Sequence, residues 1–73
     1  MRNPLQKNFV KTRTAIVELD RPRYGLTIVR NMDGEILGHV ELLDNGLWRN
    51  NLNDLRTFTR QSHAITNLQR YAK

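Results

Sequence analysis

The chain has no cysteine, so no disulfide can staple its fold and no thiolate can hold a metal. Its longest uncharged apolar run falls far short of the roughly 18 residues that a membrane-spanning helix needs. The N-terminal stretch MRNPLQKNFV is charged but has no apolar run behind it, so it does not read as a signal peptide. Its two prolines and four glycines are scattered singly, which excludes a glycine-rich phosphate loop. Ser62 is the single serine and sits in no nucleophile elbow. His39 and His63 have no ligand-type neighbours at metal spacing, so neither zinc nor any other cofactor is expected. These absences favour a soluble, non-enzymatic protein. The absence of cysteine suits a reducing cytoplasm, which is the expected location.

Acids are also missing from both ends. Residues 1–16 carry Arg2, Lys7, Lys11 and Arg13 with no acid, and residues 55–73 carry Arg56, Arg60, Arg70 and Lys73 with none. All seven acids fall in residues 17–54, against Arg21, Arg23, Arg30 and Arg49. Two basic ends thus flank an acidic middle within a formal net charge of +5. That asymmetry suits a polyanion or an acidic protein surface, although solvated charge on a soluble protein gives the same count.

What is present is a small α+β pattern in a chain of 73 residues, enough for one domain. A chain of this length buries only about 60% of its unfolded surface, so marginal stability is expected. Thr14 to Leu19 is rich in β-branched residues and reads as a strand that Asp20-Arg21-Pro22-Arg23 ends. Tyr24 to Leu43 reads as a hairpin turned by Asp33-Gly34. Asp44-Asn45-Gly46 turns the chain again into a short strand, Leu47-Trp48-Arg49. Ala64, Ile65, Leu68, Tyr71 and Ala72 then follow a 3.6-residue repeat, with Thr59 as the expected N-cap. The expected fold is a small antiparallel sheet of three to four strands packed against one C-terminal helix. Residues 1–12 are read as a loosely ordered basic arm, and residues 13–73 as a single β-β-β(-β)-α domain. The expected core is Val17, Leu19, Leu26, Ile28, Ile36, Val40, Leu42, Phe58, Ala64, Ile65 and Leu68.

Two binding surfaces are candidates. In the first, the arm docks a protein partner through Arg2, Leu5, Lys7, Phe9, Val10, Lys11 and Arg13, because charge steers and apolar groups anchor. Trp48 and Arg49, an aromatic and an arginine side by side, would extend that contact, unless Trp48 closes the small core instead. In the second, Arg21, Arg23, Arg30 and Arg49 form a stripe on the sheet that holds nucleic acid. Against the second stand Glu18, Asp20, Asp33, Glu35, Glu41 and Asp44 on the same strands and turns, which would repel a duplex.

The segment from Ile36 to Leu68 resembles a module of small phage and bacterial proteins. That module has a glycine-bearing strand, a turn, G-x-W-R, and then F-x-T-R-x-x-A leading into a helix. The matching residues are Gly46, Trp48, Arg49, Phe58, Thr57 or Thr59, Arg60 and Ala64. The threonine Thr59 directly follows Phe58, which departs from that spacing. The strand-and-helix layout also resembles the N-terminal DNA-binding domains of some phage integrases, an analogy of fold only. In length, basicity and layout, the whole chain resembles the small transcription regulators of lytic phages. That resemblance implies binding to the large subunits of bacterial RNA polymerase, sigma-factor displacement and inhibited initiation, antitermination, and no enzyme activity. Neither a membrane nor a small-molecule substrate is an expected partner, since no apolar run is long enough to span a bilayer and a chain this small has little volume for a pocket. A small DNA-binding protein of the excisionase or integrase-arm type is the alternative.

Overall fold

A computed structural model describes residues 8–72. Five strands and one helix follow in order: β1 Asn8–Lys11, β2 Ile16–Arg23, β3 Leu26–Arg30, β4 Ile36–Leu42, β5 Trp48–Asn50 and α1 Gln61–Tyr71. Each strand pairs antiparallel with the next, so the sheet is a meander in the order β1-β2-β3-β4-β5. The α+β class with a C-terminal helix agrees with the sequence reading. The strand count does not: the sheet has five strands, not three to four. The additional strand is β1, in which Phe9 pairs with Glu18 and Val10 with Val17. Asn8–Lys11, read from sequence as part of an arm, therefore belongs to the sheet. Arg2, Leu5 and Lys7 lie outside the described residues.

β2 also runs further than its proline suggested. It continues through Pro22 to Arg23, with a shift in pairing between Asp20 and Arg23. Proline lacks the N–H that a regular ladder uses, and a bulge is where a strand tolerates that loss. The β3–β4 turn is tied down by Asn31, whose Oδ1 accepts from the Asp33 and Glu35 N–H groups at 2.9 and 3.0 Å. Gly34 takes the left-handed φ of 86° that the turn requires.

The core lies between α1 and one face of the sheet. Its buried apolar members are Val17, Leu19, Val29, Val40, Phe58, Ala64, Ile65 and Leu68. Leu26, Ile28 and Ile36 do not join them, which corrects the expected list. β3 carries apolar residues on both of its faces, so alternation alone could not choose between Leu26/Ile28 and Thr27/Val29. The pairing of Val29 with Gly38 and of Thr27 with Val40 decides it. Buried Thr27 is satisfied because Gln61 Nε2 donates to its hydroxyl at 2.8 Å. A bulge then pairs Arg30 with Ile36, leaving Ile36 on the outer face and exposed, while Leu37 packs against the core. Leu42 is half-buried.

At Gly38 a helix side chain lies directly against the sheet backbone. A Cβ built there would meet Asn51 Oδ1 at 2.5 Å and Leu68 Cδ1 at 2.7 Å. Leu68 is fully buried on top of it. The helix begins at Gln61 with Arg60 as N-cap residue and no side-chain cap, rather than with Thr59 as its cap. The side chain of Gln61 instead straps the first turn to the sheet.

Gly38→Ala should therefore destabilise the protein by about 1–3 kcal/mol, because overpacking displaces a buried leucine and a hydrogen-bonded asparagine. Urea denaturation followed by circular dichroism checks this. Gly38→Ala unfolding at the same urea concentration as the parent would remove the close approach as a constraint.

Candidate interaction site

The polar stretch Asn50-Asn51-Leu52-Asn53 joins sheet to helix. Asn50 is 1% exposed, yet its amide is fully used. Its Nδ2 donates to the Ala64 carbonyl at 3.0 Å and to Asn67 Oδ1 at 3.1 Å. Its Oδ1 accepts from the N–H groups of Leu52 at 3.1 Å and Asn53 at 2.7 Å. Asn51 extends the ladder: its N–H donates to the His39 carbonyl, and its Oδ1 accepts from the His39 N–H at 2.7 Å. A buried amide satisfied at both ends fixes one conformation of the loop, because every alternative leaves a polar group unpaired. The loop then delivers Arg56 and Phe58 to the side of α1. Phe58 exchanges both backbone hydrogen bonds with Trp48 at 2.7 and 2.8 Å, which pins the segment to the outer edge of β5.

Beside α1, between this segment and the β1–β2 end of the sheet, runs an open groove of about 680 Å³. Val10, Leu19, Phe58 and Ile65 give it an apolar floor. Lys11, Arg13, Arg21, Arg56 and Arg70 line it, with His63 among them, and no aspartate or glutamate does. The Arg56 guanidinium lies over the Phe58 ring, 5.0 Å from its centroid. Thr12 anchors the far end: its hydroxyl donates to Gln69 Oε1 at 2.6 Å and accepts from the N–H groups of Thr14 and Ala15. At the near end Arg21 Nη2 donates to Gln61 Oε1 at 3.4 Å.

Ser62 and His63 both line the groove, but neighbours on a helix do not face one another, so they form no nucleophile–base pair. Among the described residues, no group of three or more histidine, cysteine, aspartate or glutamate side chains is placed to hold a metal. No helix among them is long and apolar enough to cross a membrane.

The structure separates the residues that sequence put together. Val10, Lys11 and Arg13 line the groove, whereas Phe9 opposes Glu18 on the outer face of the sheet and is half exposed. Trp48 and Arg49 are consecutive in a strand and so point to opposite faces. Trp48 packs half-buried against the core and lines a second, smaller hollow with Tyr24 and Leu26. Arg49 is committed to Glu41: its Nη2 and Nε donate to Oε1 at 2.6 and 3.2 Å. The proposed arginine stripe is likewise dispersed. Arg30 lies 3.9 Å from Asp20 on the outer face, and Arg21 turns into the groove. Arg23 pairs with Leu26 at the end of β2.

Arg56 and Arg70 are arginines of the lining that are absent from the residues expected from sequence to bind. The signal for them was the acid-free C-terminal charge run, whose meeting with the N-terminal one needed the fold. Comparison with protein-family models, curated proteins and solved structures finds no match for the chain.

The Glu41–Arg49 pair sets an acid dependence. The hydrogen bond from Arg49 holds the Glu41 carboxyl below its ordinary value of 4.5, with partial burial opposing the shift and the charges of Arg49, His39 and Arg23 adding to it. A carboxyl depressed in the folded state stabilises that state above its unfolded value and loses the contribution as pH falls through the folded one. The Arg49 and Glu41 side chains are 40% and 34% exposed, so solvent screens the effect. Glu41→Gln should therefore lower stability slightly at neutral pH and flatten its decline below pH 4.5. Thermal unfolding across pH 3–7 checks this, and parallel pH profiles for parent and variant would contradict it.

Proposed function

We propose that this chain is a non-enzymatic binding protein that docks an acidic partner surface through the groove beside α1. The observation that carries this reading is the groove itself: five cationic residues around an apolar floor, with no carboxylate in the lining. Charge of one sign in a concave surface focuses potential and speeds the encounter with an opposite surface, and an apolar floor supplies affinity once contact is made. The specific partner rests on the resemblance to lytic-phage transcription regulators. It is bacterial RNA polymerase, bound at its large subunits to inhibit initiation or to antiterminate.

DNA binding of the excisionase or integrase-arm type is the second reading, and the observation in its favour is the same run of arginines. The outer face supports it less, because Arg30 and Arg49 there are already beside Asp20 and Glu41.

The charge-reversed variant Arg13→Glu/Arg56→Glu/Arg70→Glu tests the groove without touching a buried residue. It should retain the parent's circular dichroism and lose at least about tenfold in affinity for purified RNA polymerase, roughly 1.4 kcal/mol. Equal binding by parent and variant rules out the groove, and no binding by the parent rules out the polymerase. A gel shift on duplex DNA at two salt concentrations separates the second reading, which expects a steep loss of affinity with salt.

A further inference from the structure

We infer that the groove receives an extended or helical peptide segment that is acidic and carries apolar anchor residues, rather than a phosphate backbone. This rests on the reading of the groove as an interaction site and names the chemistry of its occupant.

The floor discriminates between the two. Val10, Leu19 and Ile65 are aliphatic and offer nothing to a phosphate or to a base. Single-stranded nucleic acid binds where several aromatic rings present open faces for stacking. Here the lining holds two rings, Phe58, which is 9% exposed and already has the Arg56 guanidinium over it, and the imidazole of exposed His63, so a single open ring face is offered. Leu19 and Ile65 are 6% and 2% exposed, so a peptide's apolar side chain gains chiefly from half-buried Val10 and the aliphatic stems of the arginines around it, at about 25 cal/mol for each Å² of apolar surface removed from water. The carboxylates around it meet Arg13, Arg21 and Arg70, and the planar guanidinium forks match carboxylates as well as they match phosphates.

Charge also decides against the nearest alternative occupants. As an occupant, the segment of residues 1–7 carries Arg2 and Lys7 and no acid, so it lacks the carboxylates that would complement the lining. A second copy would bring a net charge of +5 to a cationic groove. The acids of a second copy that face outward from the sheet are partly spent, with Asp20 beside Arg30 and Glu41 hydrogen-bonded to Arg49.

The test uses the full chain, isotopically labelled for nuclear magnetic resonance, and three probes. The first is a short synthetic peptide in which aspartate and glutamate alternate with leucine and phenylalanine. The second has the same acids with the apolar residues replaced by serine. The third is a single-stranded oligonucleotide of equal charge. The first peptide should shift the amides of Val10, Phe58 and Ile65, and its affinity should exceed that of the serine peptide and of the oligonucleotide by about tenfold or more. Arg56→Glu/Arg70→Glu should weaken the first peptide by a similar factor while leaving the dispersed spectrum of a folded protein. Equal affinity for the serine peptide overturns the apolar anchor. Tighter binding of the oligonucleotide at the same amides overturns the peptide in favour of nucleic acid. Absence of binding by all three probes overturns the groove as a receptor for such segments. Polymerase capture is read separately: the peptide result can fail with capture intact, and capture can fail with the peptide bound.

Discussion

The close approach of α1 to β4 at Gly38 is the constraint on which the rest of the structure depends. With no side chain there, Leu68 sits against the strand itself and Asn51 Oδ1 reaches the His39 N–H. The helix is thereby seated chiefly on β4 and β5. On the β1–β2 side, Val17 and Leu19 complete the core, and Val10 and Leu19 also line the groove beside the helix. A larger residue at position 38 would lift the helix and reshape that groove from below. Packing at one glycine and the chemistry of an exposed surface are in this sense one problem.

The second organising element is the asparagine cluster. In a protein this small, the loop between sheet and helix cannot be held by a large hydrophobic core. Asn50 supplies what the core cannot, tying the loop to the helix through Ala64 and Asn67 while receiving the loop's own N–H groups. No buried side-chain nitrogen or oxygen is left without a partner among the described residues. The loop's polar character looks on paper like an unstructured connection, yet its amide side chains do the work of a turn motif and tie it to the helix.

The legibility of the sequence varied with the kind of information required. The β3–β4 hairpin and α1 were readable because Asp33-Gly34 and the Ala64-Ile65-Leu68 stripe are local signals. Which face of β3 is buried was not readable, because both faces are apolar and the choice belongs to pairing across strands. Pro22 stopped β2 on paper, whereas a pairing shift absorbs it in the fold. The candidate site was legible in its charge and illegible in its shape. The acid-free ends were visible, but nothing local says that Lys11 and Arg13 come to lie beside the same groove as Arg56 and Arg70. Trp48-Arg49 looked like a joint contact because adjacency in sequence suggests adjacency in space, and a β-strand turns neighbours to opposite sides.

The bridge between Trp48 and Phe58 carries a consequence for how copies of this protein behave at high concentration. β5 is only three residues long, and its outward hydrogen bonds at Trp48 are occupied by Phe58. At Trp48 that edge is therefore closed to a further strand, whereas β1 ends the order of paired strands on the other side. A sheet with two open edges can add molecules without limit, as fibrils do. A sheet with one edge interrupted has less ladder to extend there. The backbone bridge at Trp48 thus shortens the stretch on the β5 side that a strand from another molecule could join.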